Sequence, residues 1–116
     1  MVRLYRRVSG GILTTAIVVH HLLISDHEGN ERRLEVAEEA VVVGRSEDCA
    51  LRLDERNVSR RHARLVPHGQ ELTLEDLGSY NGVFHNGARI AAPVRIQQGD
   101  TIHIGDFSLR LDAVAS

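Results

Sequence analysis

The chain has 116 residues, a formal net charge of −2, 42% hydrophobic and 26% charged residues, the profile of one soluble globular domain large enough to bury its own core. The slightly acidic balance excludes a nucleic-acid binder held by backbone electrostatics, and 3% aromatics exclude recognition by base stacking. The single cysteine, Cys49, excludes an intrachain disulfide and fits a reducing compartment, so a cytoplasmic location is expected.

Residues 1–7 carry three arginines and residues 8–24 are mostly apolar, the outline of a secretion signal. His20 and His21 interrupt that run, and no small-residue cleavage site follows. The run is also too short and too polar to span a membrane. A buried strand is expected instead. Segment 17–25 is rich in β-branched residues and leucine, and 25–30 is a turn-rich hexapeptide. Residues 32–36 can pair back as a hairpin. Residues 36–39 have a helix-friendly composition but run straight into a strand at 40–43, stopped by Gly44. Residues 46–50 read as a turn, and Leu51 and Leu53 flank Arg52 in strand alternation. A strand at 63–66 is followed by a turn at Pro67-His68-Gly69, then by alternation at 72–74.

Residues 77–82 form a polar loop. Val83-Phe84-His85 is a short strand, Asn86-Gly87 is a strong hairpin dipeptide, and 88–90 returns. After a turn at 97–100, strands at 101–104 and 107–111 flank Gly105-Asp106, with Ile102, Ile104, Phe107, Leu109 and Leu111 toward the core. The expected class is all-β: an antiparallel sandwich of about eleven short strands with binding loops at one end. Residues 1–21 are expected to be an N-terminal segment that includes a first strand, and 22–116 the domain.

One loop concentrates polar donors. Residues 57–63 read Asn-Val-Ser-Arg-Arg-His-Ala, placing a hydroxyl, two guanidiniums and an imidazole in four consecutive positions. Such a set suits an oxyanion, and phosphate is the commonest. All 14 basic residues are arginine, the better fork for phosphate, although a GC-rich genome is the stronger explanation of that composition. Ser59 and His62 also have the chemistry of a nucleophile and base, but a hydrolase would need an orienting group and an oxyanion hole besides. His20, His21, Asp26 and His27 contain metal-ligand chemistry, yet adjacent residues of a strand face opposite ways, so no metal site is expected. Cys49 reads as a small buried hydrophobe.

In order along the chain stand Val43-Gly44-Arg45-Ser46, Asn57-Val58-Ser59-Arg60-Arg61-His62-Ala63, Asp76-Leu77-Gly78-Ser79-Tyr80-Asn81-Gly82, Asn86-Gly87, and Gly99-Asp100-Thr101-Ile102 with Ile104-Gly105. With these motifs at this spacing, the chain resembles the forkhead-associated (FHA) domain, a phosphothreonine-binding sandwich of the FHA/SMAD-like kind. The resemblance implies that Arg45 clamps the phosphate, that Ser59 donates its hydroxyl, and that Arg60 adds a second cation. It implies that Asn81 grips the peptide main chain. Gly44, His62 and Gly82 would be structural, with the His62 ring bonding loop backbone. Tyr80 departs from the pattern, since many members have serine or threonine there; its phosphate contact is only a possible one.

The resemblance thus implies a non-enzymatic, phosphothreonine-dependent interaction module in bacterial Ser/Thr kinase signalling. Its partner would be a phosphothreonine-containing protein, with a Ser/Thr kinase a possible one, and no cofactor, nucleic acid or membrane span is expected. The alternative is a phosphate-independent FHA-like scaffold that binds a protein through its sheet face.

Overall fold

The protein is described by a computed structural model, for residues 5–7, 13–15 and 17–115. Two short strands, β1 (Tyr5–Arg7) and β2 (Leu13–Thr15), pair antiparallel. The body follows as β3 (Val19–Ser25), β4 (Glu31–Val36), β5 (Val41–Gly44), β6 (Leu51–Arg52), β7 (Ala63–His68) and β8 (Glu71–Asp76). Then come β9 (Val83–His85), β10 (Ala88–Arg89), β11 (Val94–Ile96), β12 (Thr101–Ile104) and β13 (Phe107–Ala115). Six strands form one sheet in the order β10-β9-β12-β13-β3-β4, and five form the other in the order β11-β8-β7-β5-β6.

The two sheets share one core because each strand alternates. Leu22 and Ile24 of β3, Leu65 of β7, Leu72 and Leu74 of β8, Ile102 and Ile104 of β12, and Leu109 and Leu111 of β13 are buried between them. Burial of each such side chain stabilises by about 1.5–3 kcal/mol relative to exposure. The hairpin at Asn86-Gly87 has φ of 49° and 87°, both positive, as a two-residue turn that follows strand twist requires.

Three details differ from the sequence reading. Pro67 lies inside β7, opposite Leu72, and the reversal falls beyond His68. Partner strand β5 reaches only to Leu65, so at Pro67 β7 has an open side where a missing N–H removes no ladder bond. Strand β11, between Pro93 and the turn at 97–100, pairs with β8 and was not expected. Strand β6 pairs parallel to β5, joining Val43 to Leu51 and Gly44 to Arg52, in an otherwise antiparallel sandwich.

The pairings put the end of β5, the start of β7, the end of β8 and the start of β9 at one end of the sandwich. The connections leaving them, 45–50, 53–62 and 77–82, therefore gather there.

Candidate functional site

Backbone hydrogen bonds lock these connections together before any side chain contributes. Arg45 N–H donates to Ser59 O at 3.0 Å, Ser46 N–H to Arg60 O at 3.1 Å, and His62 N–H to Val43 O at 2.8 Å. The approach is so close that a Cβ built on Gly44 would lie 2.1 Å from Arg60 O. Glycine at 44 is thus fixed by contact, and its φ is not in the left-handed region. Val58, 1% exposed, plugs the middle connection into the core. Cys49 is buried as expected, and its Sγ–H also donates to Arg60 O at 3.2 Å.

His62 is fully buried and joins two connections. Ser59 N–H donates to its Nδ1 at 3.0 Å, so Nδ1 is the acceptor and the proton sits on Nε2. Nε2 lies 2.7 Å from Gly82 O and donates to it. The imidazole therefore takes the serine backbone and not its hydroxyl. Ser59 Oγ instead accepts Tyr80 N–H at 3.1 Å, which leaves its own proton free to donate outward. The nucleophile–base bond that a serine hydrolase needs is not made.

The groove above this frame, about 300 Å³, is lined by Arg45, Arg56, Asn57, Val58, Ser59, Tyr80 and Asn81. It contains two guanidiniums and no carboxylate. Arg45 is held through Nε, which donates to Val58 O at 3.0 Å, and Arg52 Nε braces the Arg45 carbonyl at 2.9 Å. The two Nη groups of Arg45 make no bond among the described residues, so the fork remains available. Asn81 Nδ2 donates to Asn57 O at 2.9 Å, setting the carboxamide at the rim. Asp76 Oδ1 accepts Ser79 N–H at 2.7 Å, and Ser79 Oγ accepts Gly82 N–H at 3.0 Å, which shapes the third connection.

The structure brings Arg45, Ser59, Tyr80 and Asn81 to one groove. Arg60 lines an adjoining cavity of about 210 Å³ with Arg45, Ser46, Glu47, Arg52 and Asp54. There two carboxylates share the space with the arginines, and Arg52 pairs with Asp54 at 3.6 Å. The second cation of the groove is Arg56, which sequence reasoning missed. It lies three residues before Ser59 in an irregular segment, where no periodicity tells which side chains share a face. Tyr80 serves the groove through its backbone N–H, while its side chain, 80% exposed, stands at the edge. Gly82 supplies the carbonyl that His62 needs.

His20 and His21 face opposite sides of β3: His20 is buried and His21 meets Glu35 at 3.8 Å. His27 stands apart from both, beside Glu55 at 3.4 Å.

The FHA domain family model matches residues 41–105, which hold all three connections. This chain belongs to the FHA domain family. It is similar to the FHA domain-containing protein FhaB of Mycobacterium tuberculosis, with 34% identity over 91 residues, 78% of this chain and 59% of FhaB. The chain therefore spans little more than half the length of that relative. Among solved structures it is similar to an FHA domain analysed for phosphothreonine-dependent interactions, with a TM-score of 0.70 and 29% identity, covering 83% of this chain and 96% of that one. It is also similar to Mycobacterium tuberculosis EmbR in complex with a low affinity phosphopeptide, with a TM-score of 0.67 and 31% identity, covering 92% of this chain and 27% of that one.

Proposed function

We propose that this FHA domain is a phosphothreonine-dependent protein–protein interaction module whose groove takes the modified residue of a partner phosphorylated by a Ser/Thr kinase. The observation that carries the reading is a carboxylate-free groove in which Arg45 is anchored by Nε with both Nη groups uncommitted. A phosphate ester carries about −1.5 to −2 charge near neutral pH and accepts on three oxygens. Arg45 forks onto two of them, and Ser59 donates its hydroxyl proton to a third. Arg56 adds positive potential from within the groove and Arg60 from the adjoining cavity. Asn81 offers a donor and an acceptor in one plane, which suits the main chain of an extended peptide.

Solved FHA relatives studied with phosphothreonine partners and a phosphopeptide support the same reading. The test is calorimetric titration of a phosphothreonine peptide into wild type and Arg45→Ala. A charge-assisted bond is worth roughly 1.5–3 kcal/mol, so the variant is expected to bind about ten- to a hundredfold more weakly. The unphosphorylated peptide is expected not to bind. Equal affinity for wild type and Arg45→Ala, or for both peptides, would sink the proposal.

A further inference from the structure

Beside the groove, three connections bring a histidine and two carboxylates together. The turn after β3 is tied by Asp26, whose Oδ1 accepts the N–H groups of Glu28 and Asn30, each at 2.9 Å, and this tied turn presents His27. Glu55 sits where Val58 N–H donates back to its carbonyl at 3.1 Å. Asp106 occupies the β12–β13 hairpin next to Gly105. One ligand atom from each of His27, Glu55 and Asp106 lies within 4.8 Å of the other two. His27 Nδ1 and Glu55 Oε1 are 3.4 Å apart. With metal–ligand bonds of about 2.0–2.2 Å, the edge of a tetrahedral zinc site is about 3.3–3.6 Å. The pair already has that spacing.

Charge points the same way. The cluster sets two carboxylates beside one imidazole, a donor set that a dication complements in charge. The neighbouring Asn57 supplies an independent observation. Its Oδ1 is the one buried side-chain oxygen without a hydrogen-bond partner among the described residues. It lies against the same hairpin, since a Cβ at Gly105 would be 2.8 Å from it. A zinc ion held by three protein ligands keeps a coordinated water, a donor of the kind this oxygen lacks.

We infer that His27, Glu55 and Asp106 form a site for a divalent transition metal of the zinc class. Imidazole with carboxylate suits that class, whereas calcium takes six to eight oxygens, more than this cluster offers. The ion ties the hairpin and the β3–β4 turn to the segment that carries Arg56 and Asn57 into the groove. Metal binding itself needs no phosphopeptide, so this inference stands apart from the proposed function.

The test is titration of ZnCl2 alone into the full chain in a non-chelating buffer, by calorimetry, with thermal unfolding in parallel. Wild type is expected to bind one equivalent and to melt higher with zinc. His27→Gln and Asp106→Asn replace exposed groups, leave the fold intact, and are each expected to weaken binding on the order of ten- to a hundredfold or more and to remove the melting shift. His85→Gln, at a separate His–carboxylate pair where Nε2 lies 2.8 Å from Asp100, is expected to bind zinc as wild type does. No saturable binding to wild type, undiminished binding in both His27→Gln and Asp106→Asn, or loss of binding in His85→Gln would overturn the site.

Discussion

His62 and His20 are the two buried polar side chains among the described residues, both fully enclosed, and they sit at opposite ends of the sandwich. His62 stands just before β7 among the connections that build the groove, with a partner on each ring nitrogen. His20 lies on β3 at the far end, where Nε2 donates to Gly69 O at 3.0 Å and Nδ1 has no partner among the described residues. The same residue at the same burial is therefore two different things. One ring satisfies two backbone groups that the groove depends on. The other satisfies one and leaves a desolvated acceptor, which costs free energy. Burial alone does not make a polar residue valuable; the partners do.

The comparison is tested most severely by His62→Ala. It orphans Ser59 N–H and Gly82 C=O, at roughly 1–3 kcal/mol each, and opens a cavity as well. A loss of about 2–6 kcal/mol is expected, a large share of the roughly 5–15 kcal/mol of a whole domain. Urea unfolding measures it, and phosphopeptide affinity is expected to fall with it because Ser59 loses its backbone tether. A loss below about 1 kcal/mol would mean that water replaces both bonds, and His62 would then be no more valuable than His20.

Gly44→Ala probes the same frame with no change in polarity. The added methyl meets the Arg60 carbonyl, a backbone atom pinned by Ser46 N–H and Cys49 Sγ–H, so β5 and the middle connection must separate. Overpacking of this kind costs about 1–3 kcal/mol. Since Arg45 and Ser59 lie on the two parts that separate, phosphopeptide affinity is expected to drop by about tenfold. Stability lost without affinity would show that the groove tolerates a shift in its own floor.

How much of this was legible from sequence follows physical lines. Alternation and turn chemistry are local, so β3, the Asn86-Gly87 hairpin and the inward set from Ile102 to Leu111 were readable. Strand β11 was not, because three residues after Ala91-Ala92-Pro93 carry too little pattern. Pro67 reads as a turn residue until the short reach of β5 shows an open side. In the site, the motif residues could be listed in order, but the groove they share could not. Whether Arg56 or Arg60 faces it depends on the path of an irregular segment. Nothing near His20 announces a carbonyl 49 residues away.

His20→Leu should have the smallest effect and depend most on pH. At pH 7.5 the change removes one hydrogen bond and one unpartnered acceptor, so stability is expected to stay within about 1.5 kcal/mol of wild type. The pH response is where the two ends part. Burial holds the His20 imidazole below its ordinary value near 6.5; the bond to Gly69 O opposes this, and nearby His21 adds to it. The folded state thus binds the His20 proton less readily than the unfolded chain does. Above about pH 6.5 both states are neutral there and wild type has its full stability. As pH falls from 6.5 toward the lowered folded value, only the unfolded chain takes the proton, and stability drains at up to about 1.4 kcal/mol per pH unit. Urea unfolding of wild type and His20→Leu between pH 7.5 and 5.0 is expected to show the variant gaining on wild type as the pH falls. Asp26, Asp48, Asp100 and Asp112, all lowered from 3.8, lose their contributions in a more acidic window and do so equally in both proteins. Parallel curves would mean that the enclosed ring can take a proton in place, and the lone bond to Gly69 would then be enough to make the two histidines equivalent.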